Sequence, residues 1–233
     1  MPGPGRSELQ LVTCVLLVVA ALALAAAGCG GGGDDAAGTT APTASVETGE
    51  CADVEAPAPR ADGGETAPTA PLDASKTWTL TFDTSCGTFV VTLDPGSAPK
   101  ATASLVSLAR DGYFDDTIFH RISLGFVIQG GDPTQSGAGG PGYSTVDPPS
   151  PDAAYTKGVV AMAKTAVESP GTAGSQFFVV TGEDAGLPPD YAIVGKVTSG
   201  MEVVDRIAAL GDPETEQPLQ PVVVDSVTAA SSP

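Results

Sequence analysis

Short strand-like segments constrain the fold more than any other feature of this chain. Polar and apolar residues alternate over 77–83, a turn follows at 84–87, and a second strand-like segment covers 88–93. This pattern predicts a β-hairpin. Further strand-like segments follow at 126–129, 159–163, 176–181, 192–197 and 222–227.

Only two segments have helical spacing. Apolar residues recur at helical intervals over 98–109, with a glycine at 112, and again over 201–210, with a glycine at 211. Many short strands, Gly/Pro loops and two helices predict a mainly β domain. We expect a closed antiparallel barrel whose ends are covered by the two helices.

The N-terminus has the pattern of a bacterial lipoprotein. An almost uncharged apolar run covers 9–27, and small residues precede Cys29. Residues 1–28 are therefore interpreted as a signal peptide and Cys29 as the lipid acceptor at the extracytoplasmic face of the cell membrane. Two alternatives remain open: an uncleaved transmembrane helix, since 19 residues suffice to span a bilayer, and a soluble secreted form.

Residues 29–75 consist largely of Gly, Ala, Pro, Thr and acidic side chains. Such a segment buries too little apolar surface to offset its ordering entropy, so we expect a lipidated flexible tether. The folded domain is expected over 76–229, followed by a short tail at 230–233.

The four cysteines have separate explanations. Cys14 lies in the apolar run and Cys29 is the expected lipid acceptor, which leaves Cys51 and Cys86. An oxidising compartment would allow a Cys51–Cys86 disulfide that holds the tether on the domain. The alternative is two free thiols.

Composition excludes several classes of function. The 233 residues include 28 acidic and 10 basic side chains, a balance that argues against nucleic-acid binding. A single histidine and the absence of a Cys-x-x-Cys pair argue against a metal site, and we expect no cofactor. Phosphate-binding glycine loops and nucleophile elbows are also absent from the sequence.

Two motifs carry a family resemblance. Residues 119–132 read FHRISLGFVIQGGD, and residues 174–178 read GSQFF. Together they closely resemble the cyclophilin family of peptidyl-prolyl cis-trans isomerases. The resemblance extends from about Thr77 to Val227, and it implies an eight-stranded closed antiparallel barrel with two capping helices. It also implies rotation about Xaa-Pro bonds and a monomer.

The resemblance assigns the site residues. Arg121 matches the catalytic arginine, whose planar guanidinium can donate to the amide as it twists, and Gln129 matches the residue that orients it. Matching substrate-binding positions are Phe126, Val127, Ala163, Lys164, Gln176, Phe178, Leu187 and Tyr191. Lys164 departs from the asparagine of many relatives, and we expect a flexible cation beside the peptide groove.

The sequence thus predicts an isomerase that acts on proline-containing segments of exported polypeptides and assists their folding. The alternative is a catalytically silent module of the same shape that binds such segments as a chaperone or scaffold. The arginine and the apolar pocket residues favour the enzyme.

Overall fold

The computed structural model describes residues 49–233. The expected signal peptide, Cys29 and the first part of the expected tether lie outside the described residues. The helices and strands, in chain order, are β1 (Thr77–Thr84), β2 (Gly87–Leu93), α1 (Pro99–Arg110), β3 (Thr117–Ile118), β4 (Arg121–Ser123), β5 (Val127–Gly130), β6 (Thr145–Val146), β7 (Val159–Met162), β8 (Thr172–Ala173), β9 (Phe177–Val180), β10 (Ile193–Ser199), α2 (Met201–Ala208) and β11 (Val223–Ser232).

Nine of these strands form one curled antiparallel sheet in the order β3-β11-β1-β2-β10-β7-β9-β5-β4, while β6 pairs with β8. The prediction of a closed eight-stranded barrel is therefore wrong, because β3 and β4 lie at opposite edges and do not pair. The outer edge of β4 bonds a loop instead of a strand, because the Ile122 amide donates to the carbonyl of Glu216 at 2.7 Å. The sheet is open between its two short edge strands, β3 and β4.

The predicted hairpin and its alternation are confirmed. β1 and β2 pair in register, and the buried side chains Leu80, Phe82, Phe89 and Val91 face the main core. Phe82 and Phe89 are direct cross-strand partners, and their rings stack with centroids 4.7 Å apart. Apolar faces of α1 and α2 cover this core, as their helical spacing indicated.

The neighbouring strands β7, β9 and β5, which lie toward the β4 edge of the sheet, are largely buried on both faces. In β5 and β9, Ile128 and Val179 belong to the main core, while Val127 and Phe178 belong to a second apolar cluster. Adjacent residues of a strand point to opposite faces, so each strand supplies both clusters. The second cluster forms the floor beneath the candidate site.

The described part of the expected tether is not loose. Residues 49–75 contain no helix or strand, yet the Cys51–Cys86 disulfide joins them to the turn between β1 and β2. The Ala52 amide donates to the Ser85 carbonyl at 2.7 Å, and Leu72 packs against the main core. A disulfide and backbone hydrogen bonds thus order a segment whose side chains bury little surface.

The C-terminus also differs from the expected boundary. β11 continues to Ser232, and its last residues pair with the beginning of β1, where Thr77 lies opposite Ser232. The expected tail at 230–233 is therefore largely part of the sheet. Among residues 49–233, the two helices are both too short to cross a bilayer.

Candidate active site

Strand register places the two expected catalytic residues side by side. Arg121 on β4 lies opposite Gln129 on β5, and Gln129 lies opposite Phe178 on β9. Directly opposed residues of antiparallel strands present their side chains on the same face about 5 Å apart. The sheet therefore lines up a guanidinium, an amide and an aromatic ring on its outer face.

A cavity of about 160 Å³ opens above this row. It brings together nine of the ten residues that the resemblance assigned: Arg121, Phe126, Val127, Gln129, Ala163, Lys164, Phe178, Leu187 and Tyr191. The tenth, Gln176, lines the adjoining cavity and accepts a hydrogen bond from the Gln129 side-chain amide at 3.0 Å. Phe126, Phe178 and Leu187 give the cavity apolar surface, and Arg121 and Gln129 give it polar groups.

Arg121 is held by a carboxylate. Its Nε donates to Glu216 Oε2 at 2.7 Å, and its Nη2 lies 2.7 Å from the same oxygen. Contact with Gln129 Oε1 is longer, at 3.5 Å. An arginine has five N–H donors in a fixed plane, so this side-on pair leaves donors for a substrate and fixes the plane that carries them.

Glu216 is held through both its side chain and its backbone. Ser123 donates to Glu216 Oε1 at 2.6 Å, while the Glu216 amide donates to the Asp212 carbonyl at 2.9 Å. Glu216 has a positive φ of 57°, which is uncommon for a residue with a side chain. Hydrogen bonds from Ser123 and then from Arg121 lower the pKa of Glu216 from its ordinary value of 4.5, so it is ionised at neutral pH.

A chain of side-chain amides continues from Arg121 and Gln129. Gln129 donates to Gln176, and the Gln176 amide donates to the Gly139 carbonyl at 2.9 Å. The chain fixes which end of each amide is the donor. As a result, Gln129 presents its carbonyl oxygen toward Arg121, which is the orientation that a guanidinium requires.

Lys164 differs from the expected flexible cation. Its side chain is only 2% exposed, and its Nζ lies 2.5 Å from Asp190 Oδ2. The ammonium also donates to the carbonyls of Thr165 and Glu168 and lies over the Tyr191 ring. Lys164 is therefore a fixed, neutralised cation that joins two loops at the cavity wall.

The glycines and the aspartate at the end of the first motif shape the loop beside the site. Gly131 has a positive φ of 84°, and a Cβ there would collide with the Ser175 carbonyl. Asp132 is fully buried and accepts hydrogen bonds from Thr134, Gly137 and Gly139. Burial opposes its charge, but these bonds prevail and lower the pKa of Asp132 below 3.8.

Sequence reasoning missed Glu216, Ser123 and Asp190. Glu216 lies 95 residues from Arg121 in the chain, in a loop without a recognisable pattern. Ser123 is two residues after Arg121 and thus on the same face of β4, which was the only signal available. Asp190 follows Pro188 and Pro189 in an irregular loop, where no periodicity indicates which way its side chain points.

The comparisons with known proteins agree with this geometry. Residues 79–229 match the family described as cyclophilin type peptidyl-prolyl cis-trans isomerase/CLD, and the chain belongs to that family. Peptidyl-prolyl cis-trans isomerase B of Streptomyces anulatus is 39% identical over 166 residues, which cover 63% of this chain and 93% of that protein. The probable peptidyl-prolyl cis-trans isomerase A of Mycobacterium leprae is 38% identical over 168 residues, covering 64% and 91%.

Solved structures show the same fold. A Cryptosporidium parvum cyclophilin type peptidyl-prolyl cis-trans isomerase superposes with a TM-score of 0.61 at 30% identity, covering 67% of this chain and 99% of that one. The same parasite protein has also been solved in the presence of the dipeptide Ala-Pro. The chain is a peptidyl-prolyl cis-trans isomerase.

The site suits a reaction in which no covalent bond is broken. Rotation of a prolyl amide is slow because nitrogen shares its lone pair with the carbonyl, giving a barrier of about 18–20 kcal/mol. A donor aimed at the nitrogen lone pair favours the twisted amide, in which that pair is localised. Arg121 can supply this donor, and the apolar wall excludes water that would weaken its field.

Glu216→Gln is expected to lower kcat/KM about 5- to 10-fold, because one neutral acceptor replaces a charged partner of Arg121. The effect should lie mainly in kcat, since Glu216 does not line the cavity. Glu214→Gln is the matched control, because Glu214 lies in the same loop with its side chain exposed. A protease-coupled assay on an Ala-Pro peptide measures both.

The pH dependence of the same pair adds a second readout. The pKa of Glu216 is lowered in the folded protein. Its carboxylate is therefore charged at any pH above its ordinary pKa, and the charge is lost only as the pH falls through the lowered pKa. The ratio of kcat/KM for the wild type to that for Glu216→Gln should be largest at neutral pH. It should fall under acid conditions in which both proteins remain folded. An advantage that is constant across pH would contradict the ion pair as its source.

Proposed function

We propose that this isomerase acts on Xaa-Pro bonds of exported polypeptides and assists their folding outside the cytoplasm. A lipid on Cys29 would hold it at the extracytoplasmic face of the cell membrane. Uncatalysed prolyl isomerisation takes about 10–100 s, so it can limit the folding of newly translocated chains. This isomerase would act as a monomer, as the family resemblance implies.

The observation that carries the proposed location is the Cys51–Cys86 disulfide. Disulfides persist in oxidising compartments and are rare in the cytoplasm. The apolar run at 9–27 and the small residues before Cys29 support the same location. Proline-containing clients fit the cavity, whose apolar wall of Phe126, Phe178 and Leu187 suits a pyrrolidine ring.

Cys29→Ser tests the lipid anchor. The wild-type protein should sediment with membranes, require detergent for release and carry an acyl mass on a mature N-terminus that begins at Cys29. The variant should lose the acyl mass and the cleavage at that site. Cys14→Ser is the matched control, because it changes a cysteine of the apolar run. Wild-type protein that retains residues 1–28 and lacks the acyl mass would instead indicate an uncleaved helix.

Deletion of the gene, with complementation, tests the client class. Loss of the protein should slow the maturation of exported proteins whose folding depends on a cis prolyl bond. Wild-type protein should restore the rate, while Arg121→Ala at the same level should not. Restoration by Arg121→Ala would contradict the proposal and favour a role in binding alone.

A further inference from the structure

A second and larger cavity, of about 480 Å³, adjoins the cavity that Arg121 lines. The two share Gln129, Ala163 and Lys164, so they form one continuous groove. A polypeptide advances about 3.3 Å per residue when extended, so a client whose proline occupies the first cavity would place a residue two or three positions away in the second. Asp62 forms part of the wall of this second cavity.

Asp62 comes from outside the isomerase domain. The family match begins at residue 79, whereas Asp62 belongs to the N-terminal segment that the disulfide joins to the fold. Hydrogen bonds attach the segment to the cavity loop: the Gly63 amide donates to the Gly140 carbonyl at 2.9 Å, and the Glu65 amide donates to the Pro141 carbonyl at 3.0 Å. The wall is therefore fixed in place.

The acidic side chains of this cavity each have one oxygen bound and one available. Asp62 Oδ1 accepts from the Gly140 amide at 2.6 Å, and its Oδ2 has no hydrogen-bond partner among residues 49–233. Glu168 Oε2 accepts from the amide and hydroxyl of Thr165 at 2.6 and 2.8 Å, which lowers the pKa of Glu168. Its Oε1 likewise has no partner in that part of the chain.

The cavity lining within the described residues has two acidic side chains, Asp62 and Glu168, and one basic side chain. Lys164 is its one basic side chain within the described residues, and that ammonium is neutralised by Asp190. The groove thus carries an unbalanced negative charge beside the site of rotation. A cationic side chain entering the cavity would find the carboxylates of Asp62 and Glu168 in its wall, each already held by a hydrogen bond to one oxygen.

We propose that Asp62, assisted by Glu168, is a specificity residue that makes the second cavity a subsite for a lysine or arginine side chain of the client. The proposal rests on prolyl segments of polypeptides being the substrates. Client segments with a basic residue two or three positions from the proline are isomerised in preference to neutral or acidic ones. The N-terminal segment thereby adds substrate selection to the domain.

The test uses the full-length protein and short peptides with one Ala-Pro bond. Lys, Ala or Glu is placed two or three positions from the proline, in separate series before and after it. In one of the two series we expect kcat/KM for the Lys peptide to be about three times that for the Ala peptide, as for an exposed ion pair. This ratio should decrease as salt is added. Asp62→Asn should bring this ratio toward one, and Asp62→Lys should reverse it in favour of Glu.

Asp53→Asn is the matched control, because it removes the same charge from an exposed position of the same segment and should leave the ratio unchanged. A wild-type ratio near one in both series, or a ratio that survives Asp62→Asn, would overturn the proposal while the isomerase activity stands. Failure to isomerise any of the peptides would instead contradict the proposed function.

Discussion

Arg121→Ala should lower kcat/KM on a prolyl peptide by about 100- to 1000-fold, the usual effect of removing one donor that stabilises a transition state. Arg121 is the charged group of the cavity that retains unused donors, since Glu216 takes only one side of its guanidinium. The loss should lie in kcat more than in peptide affinity, because the apolar wall that binds the proline ring is unchanged.

Arg121→Lys separates charge from geometry. Lysine keeps the positive charge but lacks the planar fork, so we expect activity closer to that of the alanine variant than to wild type. Arg110→Ala is the control, because Arg110 lies on α1 over the Trp78 ring and does not line the cavity. Circular dichroism checks the fold of each variant. A folded Arg121→Ala protein that is as active as wild type would contradict the assigned role.

Cys51→Ser should lower the free energy of unfolding by about 3 kcal/mol, with a decrease in Tm of about 10 °C. The disulfide closes a loop between residues 35 positions apart, and its loss gives the unfolded chain more conformational freedom. Cys51 is the better position to replace, because it is partly exposed whereas Cys86 is buried. Thermal unfolding followed by circular dichroism measures the change.

The same variant should release the N-terminal segment. Without the disulfide, few backbone hydrogen bonds hold residues 49–75, so limited proteolysis should cut there first. Reduced wild-type protein should behave like Cys51→Ser, and reductant should have no further effect on the variant. Equal stability and equal protease resistance in both proteins would show that the segment is ordered without the disulfide.

Much of this architecture follows from local patterns. Alternation over 77–93 predicts the hairpin because β1 and β2 each bury one face. β5, β7 and β9 are mostly apolar because both of their faces are largely buried. The cavity residues were also accessible from the sequence. Most of them lie in two continuous motifs, whose strands β5 and β9 pair directly.

The remainder depends on contacts that no local pattern encodes. β3 and β6 contain two residues each, too few for alternation to be seen. The position of the Arg121 guanidinium depends on Glu216, which lies 95 residues away in the chain. Composition alone suggested a loose tether, because it reports only how much surface the side chains can bury. The disulfide considered from the cysteines, together with backbone hydrogen bonds that no local pattern indicated, orders residues 49–75.

The most direct test follows the rotation itself inside the assigned cavity. Exchange NMR on an Ala-Pro peptide, with a catalytic amount of the full-length protein, measures the cis–trans rate, while protein shifts locate the bound peptide. We expect exchange many times faster than the uncatalysed rate, with shift changes at Gln129, Phe178 and Leu187. A peptide that binds at these residues but exchanges at the uncatalysed rate would contradict the assignment of this cavity as the catalytic site.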